Sequence, residues 1–119
     1  MAALIPQIAS GSTNGLATLV AATSTLGTTL HTCVSGTDDM DEVYVWAYND
    51  HTADVLLTIE WGGVTTPKDT IRYTVPFDDG LHLIIPGIRM QNGKVVTAFA
   101  GTTNVITCLV NINRLLKTG

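Results

Sequence analysis

The sequence predicts an all-β fold, an antiparallel β-sandwich or jelly roll of about eight short strands. Nineteen of its 119 residues are threonine, and many others are valine or isoleucine, whose branched side chains suit a pleated surface. Turn signals recur at the short spacing that sandwiches and barrels show, and no segment has the apolar period of a long helix. One of these signals, Asn92-Gly93, predicts a type I′ turn that joins its two flanking strands into a hairpin.

Eight segments between the turns have the apolar pattern of strands. They span residues 16–22, 28–35, 42–48, 55–61, 70–75, 81–85, 94–100 and 105–114. Because side chains alternate between the two faces of a strand, the fourth segment places Trp61 on the core side and Glu60 on the outer side. The same alternation places Tyr73 of the fifth segment on the core side. We expect these strands to form a single domain, since the length is typical of one.

The segment DEVYVWAYND, residues 41–50, is apolar on both faces. Its small side chains and its aromatic side chains alternate, so they project to opposite sides of the sheet. The small residues are Val43, Val45 and Ala47, and the aromatic residues are Tyr44, Trp46 and Tyr48. Either the small residues face the core and the aromatic residues face a neighbouring subunit, or the reverse holds. A third interpretation has the N-terminal arm folding back over the second face.

Residues 1–15 differ from the rest of the chain and predict an extended arm, loosely tied to a sandwich domain of residues 16–119. The apolar anchors of this arm are Leu4, Ile5 and Ile8, followed by the polar stretch SGSTNG. The arm does not read as a secretory signal, because it lacks a positive beginning and Pro6 interrupts its apolar run.

The composition indicates a protein that works in an assembly. Charged residues make up 13% of the chain, about half of the roughly 25% that is usual, and the mean hydropathy is +0.30. A homo-oligomer or a larger assembly would cover the surplus apolar surface. The net charge of −4 and the scattered basic residues argue against nucleic-acid binding. No apolar run approaches the ~18 residues that a membrane span needs.

The sequence carries no enzymatic signal, and we expect no catalytic, cofactor-binding or metal-binding residues. The histidines His31, His51 and His82 lack metal-ligand spacing, and neither a nucleophile elbow nor a phosphate-binding glycine loop is present. Cys33 and Cys108 lie in apolar strand patterns and predict two buried thiols. The alternative is a disulfide between them, which requires that their strands are neighbours.

Two binding alternatives remain at the level of residue types. The acidic cluster Asp38, Asp39, Asp41 and Glu42 offers oxygen ligands for calcium, but its spacing does not match an EF-hand, and a solvated loop is the expectation. The aromatic residues of the third strand also suit a carbohydrate-stacking platform, a function that β-sandwiches often host, although the fold alone does not license it.

The core from TLHTCVSGTDDMDEVYVWAYND through LLTIEWGG and GLHLIIPG to GKVVTAFAG, over residues 28–114, resembles the head decoration, or cement, proteins of tailed bacteriophages. The resemblance implies a β-rich structural protein, made in the host bacterial cytoplasm, that binds the outside of the capsid as a homotrimer. There it would bridge subunits of the major capsid protein. No site residue follows from the resemblance.

The residues therefore supply the site predictions. We expect Tyr44, Trp46 and Tyr48 at the contact between subunits, and Leu4, Ile5 and Ile8 at the contact between the arm and the capsid. The alternative functions are another phage structural component, such as a head–tail or tail protein, and a carbohydrate-binding module.

Overall fold

The computed structural model describes residues 3–117 and confirms the all-β prediction, with nine strands in two antiparallel sheets. The strands are β1 (Ala3–Ile8), β2 (Thr18–Leu19), β3 (Thr28–Thr32), β4 (Met40–Asn49), β5 (Val55–Trp61), β6 (Thr70–Val75), β7 (His82–Met90), β8 (Val95–Ala100) and β9 (Ile106–Leu116). Over this described range, no helix is long and apolar enough to cross a membrane.

Consecutive strands mostly alternate between the two sheets; the exceptions are β1 and β2, which share one sheet, and β5 and β6, which pair in the other. The five-stranded sheet has the order β1-β9-β4-β7, with the short β2 pairing on β9 along the same edge as β1. The four-stranded sheet has the order β3-β8-β5-β6. The two sheets enclose one core, which makes the molecule a β-sandwich.

The predicted hairpin across Asn92-Gly93 is wrong, although the turn itself is present. Both residues have positive φ, 64° and 69°, as a type I′ turn requires. The turn connects the two sheets, because β7 pairs with β4 whereas β8 pairs with β3 and β5. The amide N–H of Asn92 donates to Gly36 O and that of Gly93 donates to Val34 O, so the turn is tied to the segment after β3.

The strand β4 buries its small side chains, which decides between the two interpretations of the sequence. Val43, Val45 and Ala47 are completely buried between the sheets. They pack in a core that β5, β8 and β9 complete, chiefly with Leu57, Ile59, Val96, Ala98, Ile106 and Ile112. The aromatic residues of β4 therefore lie on the outer face of the five-stranded sheet.

Two side chains lie on the faces that alternation predicts, but their burial differs from what those faces imply. Glu60 projects from the outer face of the four-stranded sheet, but residues 21–27 cross over it and bury it. Tyr73 projects from the inner face of β6, opposite the buried Leu57, but is 38% exposed. It stays exposed because β6 is an edge strand and no layer of the other sheet covers it fully.

The sandwich is closed along one side and open along the other. On the β1–β3 side, the chain after β1 crosses between the sheets, with Gly11 N donating to Leu30 O at 3.0 Å and Ala9 buried. On the β6–β7 side, the two edges meet where Tyr73 Oη lies 3.2 Å from His82 Nδ1. We call this open side the seam and define it by Ile71, Tyr73 and Ile88.

Residues 3–8 of the predicted arm form β1, which pairs antiparallel with β9 from Ala3 opposite Leu116 to Ile8 opposite Asn111. The chain is then fixed at Ser10, whose N–H donates to His31 Nδ1 at 3.0 Å. The division of the chain at residue 15 stays a prediction. Residues 1 and 2 of the predicted arm and residues 118 and 119 of the predicted domain lie outside the described range.

Candidate interaction surface on the five-stranded sheet

The outer face of the five-stranded sheet, here called the open face, carries most of the predicted site residues. Directly paired residues of antiparallel strands project to the same side, so the register identifies its members. Tyr44, Trp46 and Tyr48 lie on β4 opposite Asn111, Leu109 and Thr107 of β9. Leu4 and Ile8 of β1 share this face, since they pair with Leu115 and Asn111.

Ile5 is the one predicted contact residue that projects to the other side of the sheet, where it pairs with Arg114. Leu4 and Ile8 are 52% and 61% exposed. The sequence assigned the aromatic residues and the arm residues to two separate contacts. The sheet register brings all of them except Ile5 to a single surface.

Aromatic side chains dominate the central part of the open face, and we call Tyr44, Trp46 and Tyr48 the aromatic patch. The rings of Tyr44 and Trp46 are stacked, with centroids 5.9 Å apart and planes inclined by 14°. Tyr44 leans over β7, where a side-chain carbon at Gly87 would lie 2.7 Å from its Cζ. Within residues 3–117 no layer packs over this patch, and its side chains are only partly buried.

Hydrogen bonds fix the hydroxyl groups of the aromatic patch. Tyr44 Oη donates to Glu42 Oε1 and Tyr48 Oη donates to Asp78 Oδ1, each at 3.2 Å. The negative charge of Glu42 raises the pKa of Tyr44. Partial desolvation and the bond to Asp78 raise the pKa of Tyr48. Both phenols therefore stay protonated and neutral at physiological pH, as an apolar contact requires.

A polar row crosses the open face beside the aromatic patch. Asn113 Nδ2 donates to Glu42 Oε1 at 3.2 Å, and Arg89 Nη2 lies 4.0 Å from Glu42 Oε2. The row carries one negative and one positive charge, so it adds no net charge to the face. It separates the aromatic patch from a second apolar area at the end of the sheet.

This second area, the end patch, consists of Leu4, Met40 and Leu115, which the register places side by side on β1, β4 and β9. An open groove of about 510 Å³ lies along it, lined also by Asp38, Arg89 and Lys117. Lys117 Nζ lies 3.6 Å from Asp38 Oδ1. The groove therefore has an apolar floor and a charged rim.

Both edges of the five-stranded sheet are unsuited to pairing with a further strand. Pro6 lies in the edge strand β1 and Pro86 in the edge strand β7, and proline has no N–H to donate. The pairing of β7 with β4 also shifts register twice, between Val43 and Tyr44 and between Val45 and Trp46. Bulges and edge prolines disfavour strand addition at these two edges.

A buried polar cluster, consisting of His31, Asp41 and Arg114, lies at the closed side of the sandwich. Arg114 Nε and Nη2 donate to the two oxygens of Asp41 at 2.8 and 3.0 Å. Asp41 Oδ2 also accepts from His31 Nε2 at 2.7 Å and from Val34 N at 3.0 Å. Burial opposes the charge of Asp41, but these hydrogen bonds outweigh it and hold its pKa below the ordinary value.

The expectation of a solvated acidic loop is therefore wrong for Asp41, which is completely buried. The other acidic residues have different roles. Asp39 Oδ1 accepts from Lys117 N at 2.9 Å, and Glu42 belongs to the polar row. The ion pair between Asp41 and Arg114 could not be predicted from the sequence, because the two residues are 73 positions apart. The position of Asp41 at the start of an apolar strand is the one local feature of the sequence that could have indicated its burial.

His31, Cys33 and Asp41 bring three metal-ligating atoms within 4.8 Å of one another, but their hydrogen bonds do not suit a metal. His31 Nδ1 accepts the N–H of Ser10, so the ring proton lies on Nε2, where it is donated to Asp41. A metal bound at Nε2 would move the ring proton to Nδ1. Nδ1 could then no longer accept the N–H of Ser10, because each nitrogen of a neutral imidazole either carries the proton or accepts one. The cluster joins β3, β4 and β9 and acts as a structural link.

The two cysteines are free and buried, as the sequence predicts. Burial raises the pKa of Cys108 to about 12. Burial, together with the nearby charge of Asp41, raises that of Cys33 to about 12. Because the thiolate is the reactive form, neither cysteine is a nucleophile in the folded chain.

Neither a family model, nor a curated protein, nor a solved structure matches this chain. The functional assignment therefore starts from the geometry of the open face.

Proposed function

We propose that the protein is a structural protein of a tailed-bacteriophage head. It binds the outside of the capsid as a homotrimer and bridges neighbouring subunits of the major capsid protein. The observation that carries the proposal is the open face, an aromatic and aliphatic sheet surface that no other layer of residues 3–117 covers. The resemblance of residues 28–114 to head decoration proteins is what supports the assignment to a bacteriophage and to the outside of its capsid.

The extent of the open face supports a contact with another protein. Ten residues of β4 at about 3.4 Å each, across four strands at about 4.8 Å, give the face roughly 650 Å² in projection. The polar row divides this area into the aromatic patch and the end patch. A standard interface buries about 800 Å² per partner, so each contact made through part of this face must also include residues outside it.

The open face offers one area for each of the two contacts that the proposal requires. The aromatic patch serves the contact between subunits, because large rings dominate the energetics of such interfaces. The end patch and the exposed strand β1 serve the contact with the shell, through Leu4 and Ile8 on the open face and through Ile5 on the other side of β1. On a symmetric shell, many repeated contacts of modest strength hold each oligomer by avidity.

The stacked rings favour a protein contact over a carbohydrate platform. Tyr44 and Trp46 lie nearly parallel with their ring centroids 5.9 Å apart, so the two rings pack as one unit. Tyr44 is also held against β7 at Gly87. The patch presents an apolar surface of packed rings, which suits burial against another protein.

Binding to particles assembled without this protein tests the proposal. The purified chain is mixed with such particles, and the bound fraction is measured by sedimentation. Leu4→Asp/Ile8→Asp should lower the affinity at least tenfold. Leu56→Asp is the matched control, because Leu56 is an exposed leucine on the four-stranded sheet, and it should bind as the wild type does.

Electron microscopy of the decorated particle distinguishes the structural alternatives. Density over the whole head is expected for a decoration protein. Density at one vertex or along the tail would assign the chain to the head–tail junction or the tail. Absence of particle binding, together with a change in Trp fluorescence on adding glycans, would overturn the proposal in favour of a carbohydrate-binding module.

A further inference from the structure

We infer that Asn14 is a modification site, at which the side-chain amide cyclises onto the backbone nitrogen of Gly15 and is hydrolysed to aspartate and isoaspartate. The inference does not rest on the proposed function. The chain contains two Asn-Gly pairs, Asn14-Gly15 and Asn92-Gly93. A glycine after an asparagine favours this reaction, because no side chain shields the attacking nitrogen and the backbone turns freely. The fold protects the second pair and leaves the first one accessible.

The two Asn-Gly pairs occupy turns of the same kind. The φ angles are 55° and 83° in the first pair and 64° and 69° in the second, as the central residues of a type I′ turn require. In each turn the N–H after the glycine donates to the carbonyl before the asparagine, at 3.0 Å in the first turn and 3.4 Å in the second. The local backbone conformation therefore does not distinguish the two sites.

The turn at Asn92 is fixed to the rest of the fold by two further hydrogen bonds. Asn92 N donates to Gly36 O at 2.9 Å, and Gly93 N donates to Val34 O at 3.0 Å. Cyclisation requires that the glycine N–H loses its proton and that its nitrogen turns toward the asparagine Cγ. The bond to Val34 O holds both the proton and the orientation of this nitrogen, so the second pair is protected while the chain is folded.

The turn at Asn14 lacks these additional bonds. Within residues 3–117, the backbone N–H groups of Asn14 and Gly15 donate to no protein acceptor, and both residues are exposed. A side-chain carbon at Gly15 would meet nothing within 4 Å, so solvent reaches the neighbouring nitrogen. Rotation of the peptide group between the two residues breaks only the turn's own bond, from Leu16 N to Thr13 O, and the residues at its two ends are exposed as well.

The reaction consumes one water molecule and releases one molecule of ammonia. Gly15 N loses its proton to the solvent and forms a bond with Asn14 Cγ, and the amide nitrogen takes up a proton and leaves as ammonia. Water then opens the five-membered imide at one of its two carbonyl groups. Opening at Cγ gives aspartate, and opening at the main-chain carbonyl gives isoaspartate, in which the chain continues through Cβ and Cγ.

Both products change the loop between β1 and β2. Each adds one negative charge to a chain whose net charge is −4. Isoaspartate also adds one carbon to the main chain inside the turn, which breaks the bond from Leu16 N to Thr13 O. The bond from Ser10 N to His31 Nδ1 lies outside the turn. The modification therefore loosens this loop without detaching β1 from the sandwich.

The test incubates the purified chain at mildly alkaline pH and follows both sites by peptide mass spectrometry, in which each conversion adds about 1 Da. Methylation by an isoaspartyl methyltransferase identifies isoaspartate. In the folded chain, the rate at Asn14 should exceed that at Asn92 at least tenfold, because hydrogen bonds must first open at Asn92. In guanidinium chloride, the two rates should agree within about threefold, because both asparagines then precede an unrestrained glycine.

Asn14→Gln is the matched variant, because it keeps an amide at this position but would have to close a larger ring. It should remove the fast conversion and leave the rate at Asn92 unchanged. Equal rates at the two sites of the folded chain would overturn the inference. A difference that persists in denaturant would also overturn it, because the flanking residues would then set the rates. The same holds if Asn14 stays unmodified in the folded chain while the unfolded chain reacts. None of these results bears on particle binding.

Discussion

Tyr44 lies directly on Gly87 of β7, where a side chain would collide with its ring. A carbon added at Gly87 would lie 2.7 Å from Tyr44 Cζ and 2.8 Å from its Oη. Gly87 also has a positive φ of 86°, which strains any other residue. The position of the tyrosine ring, and with it the stack on Trp46, therefore depends on this glycine.

Gly87→Ala should lower the free energy of unfolding by about 3 kcal/mol, as the sum of backbone strain and overpacking. Gly93→Ala is the matched control, because Gly93 also has a positive φ but has open space where a side chain would lie. Gly93→Ala should lower the free energy of unfolding by about 1 kcal/mol, from backbone strain alone. Urea denaturation followed by Trp fluorescence measures both, and equal losses would show that Tyr44 does not constrain Gly87.

Asp41→Asn should destabilise the fold by about 3 kcal/mol, because it removes the charge of a completely buried carboxylate that accepts hydrogen bonds from Arg114 and His31. Asp38→Asn removes an exposed carboxylate near Lys117 and should change stability by less than about 1 kcal/mol. Thermal and chemical denaturation of the two variants gives the comparison. A small effect at Asp41 would mean that the buried polar cluster does not hold β4 to β9.

The stability of the wild-type chain should fall as the pH drops below about 4. Folding lowers the pKa of both Asp41 and Glu60. A carboxyl group with a lowered pKa contributes stability above its unfolded pKa and loses that contribution as the pH falls through the folded value. Denaturation midpoints between pH 2 and 7 measure the effect. Asp41→Asn should show a shallower acid dependence, and an unchanged slope would contradict the assignment.

Glu60→Ala should release residues 21–27 from the four-stranded sheet. Glu60 Oε1 accepts from Gly27 N at 2.7 Å and from Thr97 Oγ1 at 2.6 Å, and Oε2 accepts from Thr25 Oγ1 at 2.5 Å. Loss of the acceptor leaves a buried N–H unsatisfied, at about 2 kcal/mol. Limited proteolysis should then cut within this loop. Glu60→Gln keeps one acceptor oxygen and should retain most of the protection.

Cys33 and Cys108 should resist alkylation in the native chain at pH 8 and react completely in denaturant, since both are buried with a pKa of about 12. Ser35→Cys, at an exposed position, supplies a positive control that should react at once. Mass spectrometry counts the modified thiols. Rapid native modification of Cys33 would show that the closed side of the sandwich opens.

Alternation along a strand predicted the two faces of β4 but not which of them is buried. That choice depends on the pairing of β4 with β7 and β9, which places Val43, Val45 and Ala47 toward the other sheet. The Asn92-Gly93 turn shows the same limit. Its local backbone conformation could be predicted, but the partners of β7 and β8 depend on residues far away in the sequence.

Long-range polar contacts were the part of the site that the sequence could not reveal. The side-chain partners of Asp41 are 10 and 73 residues away, and the partners of Glu60 are 33 to 37 residues away. From the sequence alone, a short acidic segment is expected to be solvated, because the distant residues that donate hydrogen bonds to it are known only from the fold. Likewise, Leu4 and Ile8 could be predicted as exposed contacts, but their shared face with Tyr44 follows only from the pairing of β1 with β9.

The prolines at the two borders of the five-stranded sheet bear on how this chain behaves when many copies are synthesised at once. At high local concentration, molecules with exposed sheet edges can form fibres, in which the edge strand of each molecule pairs with the edge strand of the next. Pro6 and Pro86 interrupt that template on both flanks. The two prolines therefore lower the tendency of this chain to assemble strand by strand at the borders of its five-stranded sheet.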